Sequence, residues 1–281
     1  MSIRSTQRRA ACAVLLLLLP IVAFGAGGPD NHATLSTSDE IKAEFNDVPC
    51  ENAKRQEAVK ALFERMGAAA SDITVEKLGK VENVIVRKAG ASAETVIVGA
   101  HYDKVWKGCG AIDNWSGIVA MAHLYRSLHN INSPKTLLFV AFGKEEEGLV
   151  GSKAMASAMS KEQAAQVCAM VNLDSFGMGA AQVDTKESNK KLTEMAATMS
   201  KKLQIPYNAA AISGGTSDGS SFIAKKIPVI SLHGLAGDWT KVLHSEADRP
   251  DNVKPLSVYI GYRLTLLIVV EIINAPCDAW R

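Results

Sequence analysis

Residues 99–117, GAHYDKVWKGCGAIDNWSG, place a histidine and two aspartates in one short segment directly after the apolar run 95–98. The run predicts a β-strand, in which alternate side chains share a face. Asp103 can therefore reach the ring of His101 and fix its tautomer. The glycines of the segment allow the tight turn that would bring Asp113 to the same place. This segment predicts a strand that ends in a polar site.

Short apolar, β-branched runs alternate with helix-like stretches along most of the chain, after a first helix-like segment at 38–67. The predicted strands are 83–86, 95–98, 136–142, 167–173 and 228–232. The predicted helices are 116–128, 152–159, 188–203, 220–225 and 256–273. Strands that alternate with helices predict an α/β layered fold with a mostly parallel sheet.

The composition favours one domain, because 281 residues with 47% hydrophobic content can bury a sizeable core. Arg4, Arg8 and Arg9 precede the apolar run 10–26, AACAVLLLLLPIVAFGA, which is short for a membrane span and ends in small residues. We predict a signal peptide at 1–25 and a single domain at 26–281. An uncleaved anchor helix is the alternative.

Loss of the predicted signal peptide would remove three arginines and no acidic residue, so the formal charge would change from +2 to 2 − 3 = −1. The remaining chain has no basic stretch, and we expect no nucleic-acid binding. We expect a periplasmic or secreted protein with no membrane association after cleavage.

Four cysteines follow the predicted signal peptide: Cys50, Cys109, Cys168 and Cys277. Disulfides are plausible in an exported chain. Four cysteines allow three pairings, among which the sequence does not choose. We expect Cys50 to pair with Cys277 and Cys109 with Cys168. A zinc–cysteine site is not favoured, because no two cysteines have a Cys-x-x-Cys spacing.

Carboxylates and imidazoles follow four of the predicted strands. In chain order they are His101 and Asp103, then Glu145 and Glu146, then Asp174, and last His233 and, a loop later, His244. Ligands bind beyond the carboxyl ends of the strands in open α/β sheets, so these side chains are expected to converge.

The mixture of imidazoles and carboxylates suits zinc or another first-row divalent ion. The candidates outnumber the roughly three protein ligands of a single catalytic zinc, which favours two ions bridged by one carboxylate. Glu145 and Glu146 are adjacent, so their side chains should diverge. One would bind metal and the other would act as a base.

Six motifs occur in this order: HYD (101–103), GAIDNWSG (110–117), EEEGLVGS (145–152), VNLDSFG (171–177), SDGSSF (217–222) and LHSEAD (243–248). Together they resemble the zinc metallopeptidase family that includes bacterial leucyl aminopeptidases, aminopeptidase Y and glutaminyl cyclases. The resemblance runs from about residue 83 to residue 273. It implies a three-layer α/β/α fold with a central mixed, mostly parallel sheet, of the zinc-exopeptidase (phosphorylase/hydrolase-like) type.

The resemblance also assigns roles within a zinc-peptidase catalytic domain that holds two zinc ions per chain. The implied ligands are His101 and Asp174 for one ion, Glu146 and His244 for the other, and Asp113 as the bridge. Glu145 matches the general base and Asp103 the carboxylate that orients the histidine. A cis peptide bond is implied between Asp113 and Asn114.

The implied activity is that of an exported aminopeptidase, which hydrolyses the amino-terminal bond of peptides with a free amino terminus through a metal-bound hydroxide. One alternative is a single-zinc glutaminyl-peptide cyclotransferase, for which Asp113, Glu146 and His244 would suffice. Another is a non-enzymatic ectodomain, although such relatives usually lose metal ligands.

Several positions stay open. His233 competes with His244 as a ligand. Trp115 stands where many relatives have a small residue, and would narrow the site or pack beneath it. Leu243 stands where some members carry a tyrosine thought to steady the oxyanion. The loop 214–219 could supply backbone donors or simply connect two elements.

Overall fold

The structure, a computed structural model, describes residues 31–281, so the predicted signal peptide lies outside the described part of the chain. The strands are β1 (Ile73–Leu78), β2 (Val81–Lys88), β3 (Ser92–His101), β4 (Lys135–Phe142), β5 (Val167–Leu173), β6 (Gln182–Asp184), β7 (Asn208–Ala210) and β8 (Val229–His233). The α-helices are α1 (Ser38–Ala43), α2 (Asn52–Arg65), α3 (Ser116–Leu128), α4 (Val150–Ala158), α5 (Lys161–Gln166), α6 (Lys190–Leu203), α7 (Gly219–Ile223) and α8 (Pro255–Asn274).

The strands form one mixed sheet in the order β1-β2-β4-β3-β5-β8-β6-β7. The four central strands, β4, β3, β5 and β8, run parallel to one another. On one side β1 and β2 continue the sheet antiparallel, and on the other β6 runs antiparallel to β8. The carboxyl ends of the central strands therefore lie together at one edge of the sheet.

Both faces of the central sheet are buried. Strand β3 divides its side chains between two apolar clusters, with Val96 and Val98 in one and Ile97 in the other. The first cluster packs against α1, α2, α3, α6 and α8, and the second against α4, α5 and α7. All seven residues of β5 are buried, as expected for a strand covered on both faces. The predicted three-layer α/β/α fold is confirmed.

Helix α8 is long and apolar enough to cross a membrane by length and composition alone. In this fold it packs against α3 and α6, and 61% of its most apolar 18-residue stretch is buried inside the protein. Its side chains belong to the larger apolar cluster, so it is a core helix of the sandwich.

The four main differences from the predicted elements have local causes. The predicted helix at 38–67 is divided into α1 and α2 by a segment that contains Pro49, because proline disfavours helical backbone in the residue before it. Strand β1 was not predicted, since it is an edge strand with little buried apolar surface. Strands β6 and β7 have only three residues each, too few to give a periodic signal.

The expected disulfide pairing is wrong. The structure pairs Cys50 with Cys109 and Cys168 with Cys277, with Cα–Cα distances of 4.3 and 4.6 Å. Cys50 lies two residues before α2, whose first residue, Asn52, exchanges two hydrogen bonds with the backbone of Lys104 in the loop after β3. The end of α8 likewise lies beside the start of β5. Each bridge therefore joins segments that the fold has already brought together.

We expect non-reducing peptide mapping to recover Cys50–Cys109 and Cys168–Cys277 peptides. Replacing Cys168 and Cys277 together by serine should lower the free energy of unfolding by about 2–5 kcal/mol, because the bridge closes a long loop. Denaturant unfolding measures the loss. Recovery of a Cys50–Cys277 peptide from the folded protein would contradict the observed arrangement.

Candidate metal centre

The sequence-predicted site residues converge at the carboxyl edge of the central strands. His101 is the last residue of β3, and Asp174 immediately follows β5. The glutamates lie in the turn after β4, and His244 lies in the long loop after β8. A cavity of about 170 Å³ is lined by His101, Asp113, Glu145, Glu146, Asp174 and His244.

The carboxylate of Asp113 lies between the two histidines. Its Oδ1 is 3.1 Å from His101 Nε2, and its Oδ2 is 3.1 Å from His244 Nε2. Asp174 Oδ1 lies 3.7 Å from the same nitrogen of His101, and Glu146 Oε2 lies 3.1 Å from that of His244. The cluster therefore has two halves, each with one histidine and one carboxylate, that share Asp113.

The donor set fits divalent metal ions such as zinc. Two ligand atoms about 2.1 Å from one tetrahedral zinc lie roughly 3.4 Å apart, close to the separations found in each half. Glu146 Oε1 is buried and has no hydrogen-bond partner among the described residues. Imidazole nitrogen and carboxylate oxygen are also the ligand types that zinc takes.

The electrostatics of the cluster favour added positive charge. Hydrogen bonds with Asp113 and Glu146 raise the pKa of His244 to about 10. Burial alone would raise the pKa of Asp113, but hydrogen bonds with His101 and His244 hold it well below its usual range. Without another cation, the carboxylates thus hold protons on the imidazoles, and a metal ion would replace those protons.

The two adjacent glutamates diverge, as predicted. Glu146 faces Asp113 and His244, whereas Glu145 faces the other half, where ligand atoms of His101, Glu145 and Asp174 all lie within 4.8 Å of one another. Burial, reinforced by Asp174 and other carboxylates and opposed by His101, raises the pKa of Glu145 to about 9. A cation in the cluster would oppose that rise, because a bound ion is the largest local charge.

Asp103 contacts both His101 and the glutamate turn. Its backbone carbonyl lies 3.2 Å from His101 Nδ1, while its carboxylate Oδ1 is 3.7 Å from the same atom. The carboxylate accepts the backbone N–H groups of Glu145, at 2.9 Å, and of Glu146, at 3.1 Å. An Nδ1–H directed at this carbonyl would leave His101 Nε2 free to bind metal. The contact of Asp103 with His101 was predicted from their spacing, but its hydrogen bonds with the backbone of the two glutamates were not.

Asp248, which was not predicted to have a role, supports the segment that carries Asp113. Its carboxylate accepts the backbone N–H groups of Ile112, at 2.7 Å, and of Asp113, at 3.1 Å. Burial raises its pKa to about 6. Asp248 ends the LHSEAD motif that also contains His244, so one loop carries a candidate ligand and supports another. The motif was the available signal.

Two further features fix the backbone around Asp113. The Asp113–Asn114 peptide bond is cis, as the resemblance implied. The Asn114 side chain donates to the carbonyl of Leu173, at 2.9 Å, and accepts the N–H groups of Gly117 and Ser175, both at 3.0 Å. Asn114 therefore ties the Asp113 turn to the start of α3 and to the end of β5.

Arg55 of α2 is fully buried behind the cluster, where sequence reasoning predicted no functional residue. Its Nη2 donates to the carbonyl of Gly110 at 2.7 Å, and its Nε and Nη1 have no hydrogen-bond partner among the described residues. Burial lowers its pKa to about 10, opposed most strongly by Asp248. It therefore places positive charge behind the acidic cluster. Its position in an amphipathic, charge-rich helix did not predict that it would be buried.

The structure places the positions that the sequence left open. His233 lines the cavity but accepts the N–H of Leu235 at 3.2 Å, and it is His244 that approaches Asp113 and Glu146. Trp115 is buried, with its ring 5.5 Å from the Arg55 guanidinium, and so packs beneath the site. Leu243 and residues 214–217 line the cavity.

Comparison with known proteins identifies the family. The sequence model of Peptidase family M28 matches residues 83–263, more than half of the chain. This chain therefore belongs to peptidase family M28, which confirms the resemblance to a family of zinc-dependent peptidases. Aminopeptidase YwaD of Bacillus subtilis (strain 168) is 39% identical over 84 residues, 30% of this chain and 18% of that protein.

Solved structures agree on the fold. An aminopeptidase from Aneurinibacillus sp. strain AM-1 superposes with a TM-score of 0.62 and 26% identity, over 71% of this chain and 50% of that one. A glutaminyl cyclase from an Acidobacteriales bacterium gives a TM-score of 0.72 at 16% identity, over 90% and 99% of the two chains. The chain spans half or less of the two aminopeptidases, so the similarity establishes family and fold rather than substrate.

Replacing Asp248 by asparagine should weaken zinc binding about 10- to 100-fold, the usual cost of losing a group that orients ligands. Asparagine keeps one acceptor oxygen, but its NH2 group replaces the second oxygen and faces a backbone N–H. The Asp113 segment then loses one of its two hydrogen bonds with this side chain. Zinc titration of the purified, folded variant measures the effect. Asp251→Asn, an exposed change in the same loop, is the matched control. Wild-type zinc affinity in Asp248→Asn would show that zinc binding does not need the hydrogen bonds between Asp248 and the Asp113 segment.

Proposed function

We propose that this chain is an exported aminopeptidase with two zinc ions, which hydrolyses the first peptide bond of peptides that have a free amino terminus. The single observation that carries the proposal is the position of the Asp113 carboxylate, 3.1 Å from a histidine on either side. A carboxylate with one oxygen for each of two ions is the bridge that two-metal hydrolytic sites require.

His101 and Asp174 would hold one zinc, Glu146 and His244 would hold the other, and Asp113 would be shared. Bound zinc supplies Lewis acidity, which makes water a stronger nucleophile near neutral pH and polarises the scissile carbonyl. The buried, unpartnered Oε1 of Glu146 and the shared carboxylate support this ligand set.

Glu145 is the proposed general base. It accepts a proton from the attacking water and passes it to the nitrogen of the leaving amine, so that the peptide bond breaks and a free amino acid departs. Its carboxylate faces the His101 half of the cluster and is not needed for the His244 half. Asp103 positions it by accepting its backbone N–H, which fixes the turn after β4.

The preference for a free amino terminus follows from the charge of the cavity. Glu145, which the proposed zinc sites leave free, lines it beside Asp113 and Asp174, and its carboxylate would attract a protonated α-amino group. An acetylated amino terminus lacks that charge and adds bulk. The acidic lining therefore supports an exopeptidase.

Export is supported by the two disulfides, because such bridges persist in oxidising compartments. The apolar run 10–26 after three arginines agrees with a signal peptide. We therefore place the protein in the periplasm or outside the cell as part of the proposal.

Amino-acid release from unblocked and amino-terminally acetylated peptides by the zinc-loaded protein tests the function. We expect release from unblocked peptides only. Glu145→Gln should keep its zinc and lose at least about a hundredfold in kcat, as expected for a general base. Glu147→Gln is the matched control, since Glu147 is exposed and pairs with Lys144.

Two outcomes would contradict the proposal. Ammonia released from glutaminyl peptides, without free amino acid, would indicate a cyclase that uses the same scaffold. Near wild-type turnover in Glu145→Gln would agree with a peptidase activity but would show that Glu145 is not its general base.

A further inference from the structure

The cavity continues past the metal cluster into a pocket between the sheet and the loop before α7. Its floor is formed by side chains of the central strands and of the neighbouring β6, and its roof by residues 214–217. The lining of this pocket includes Asn172 on β5, Asp184 on β6, Glu187 after it, and the apolar Ile212, Trp239 and Leu243. The metal cluster does not use any of them.

Asn172 leaves a buried acceptor in this pocket. It is 1% exposed, and its Nδ2 donates to Ser217 Oγ at 2.8 Å. The one hydroxyl hydrogen of Ser217 goes to Glu187, so this hydroxyl cannot donate back to Asn172. Asn172 Oδ1 is buried and has no donor among the described residues. A buried acceptor without a donor is costly unless a ligand supplies one.

Asp184 adds a second acceptor and a negative charge. It is 6% exposed, and its Oδ1 accepts the N–H groups of Lys186, at 2.9 Å, and of Ile212, at 3.1 Å. Its Oδ2 has no hydrogen bond within residues 31–281, and Asp184 lines the cavity. Glu187, buried beside it, accepts the N–H of Ser217 at 3.0 Å.

Asp184 and Glu187 have no positively charged partner among the described side chains that line the cavity. Within the described chain, no lysine or arginine lines the cavity, and Lys186 Nζ donates to the carbonyl of Gly215 at 3.4 Å rather than to either acid. His233 lies nearby, but burial lowers its pKa, which favours its neutral form. Asp184 and Glu187 also do not belong to any of the groups of described side chains that could enclose a metal ion. A cation on a ligand would supply the missing partner.

The walls suit the stem of a long side chain. Ile212, Leu235, Trp239 and Leu243 line the pocket together with the acceptors. Lysine and arginine have this character, since an apolar stem carries a charged head that donates hydrogen bonds. A purely apolar side chain would fit the walls but leave the acceptors of the floor without donors.

We infer that this pocket receives the side chain of the first substrate residue and selects lysine or arginine, with Asp184 as the specificity-determining residue. The inference rests on the proposed aminopeptidase function and names its substrate class. Asp184 and Asn172 Oδ1 accept from the cationic head, and Glu187 supports the same end of the pocket through Ser217.

Lysine and norleucine substrates provide the sharpest comparison, because norleucine has the same stem without the amino group. We expect the zinc-loaded wild-type protein to hydrolyse lysyl-4-nitroanilide with at least about tenfold higher kcat/KM than norleucyl-4-nitroanilide, since a site built for a donor rejects an analogue that lacks it. Asp184→Asn should lower this ratio at least about tenfold, because the charge is lost while the shape is kept.

Asp238→Asn is the matched control: Asp238 is exposed, pairs with Lys241 and does not line the cavity. Its lysine-to-norleucine ratio should equal that of the wild type. If Asp184→Asn does not fold, the inference is still tested by the lysine-to-norleucine ratio of kcat/KM in the wild type and in Glu187→Gln.

The outcomes separate the two proposals. Norleucine hydrolysed as well as lysine, with amino acid released, would overturn the lysine and arginine preference and leave the aminopeptidase intact. A wild-type preference for lysine that survives unchanged in Asp184→Asn would overturn the role of Asp184. No release from any unblocked substrate would instead overturn the proposed function, and the inference with it.

Discussion

The carboxylate of Asp113 is the point on which the site depends, because its two oxygens approach the two histidines at the same distance, 3.1 Å. Asp113 lies in a turn between β3 and α3, so its position is set by backbone contacts. Asp248 accepts the N–H groups of the turn, and Asn114 joins it to the end of β5. Three segments of the chain, the end of β3, the end of β5 and the loop after β8, thus hold the turn that carries Asp113.

The charge of the site explains the surrounding buried polar groups. Several carboxylates face one small cavity, and their mutual repulsion must be offset. Arg55 supplies a positive charge from behind, and the raised pKa of His244 indicates that the cavity favours further positive charge. Divalent ions would supply that charge from the front. A cation-selecting substrate pocket beside the cluster would extend the same electrostatic character to the first substrate residue.

The sequence predicted the central architecture because the buried strands of this sheet are continuous apolar runs. It also predicted the convergence of His101, Glu146, Asp174 and His244, since polar residues after parallel strands meet at one edge.

The disulfide pairing and the role of Arg55 could not be predicted, because both depend on how α2 packs against the loop after β3. Asp184 was missed because β6 has only three residues and pairs outside the parallel core. Asp248 accepts hydrogen bonds from backbone amides, so its place in the LHSEAD motif was the only sequence signal for this role.

The most direct test of the shared Asp113 carboxylate is anomalous diffraction at the zinc absorption edge from crystals grown with zinc. We predict two peaks, one on each side of the Asp113 carboxylate, the first beside His101 and Asp174 and the second beside Glu146 and His244. A single peak beside Glu146 and His244, with His101 and Asp174 left without metal, would contradict it.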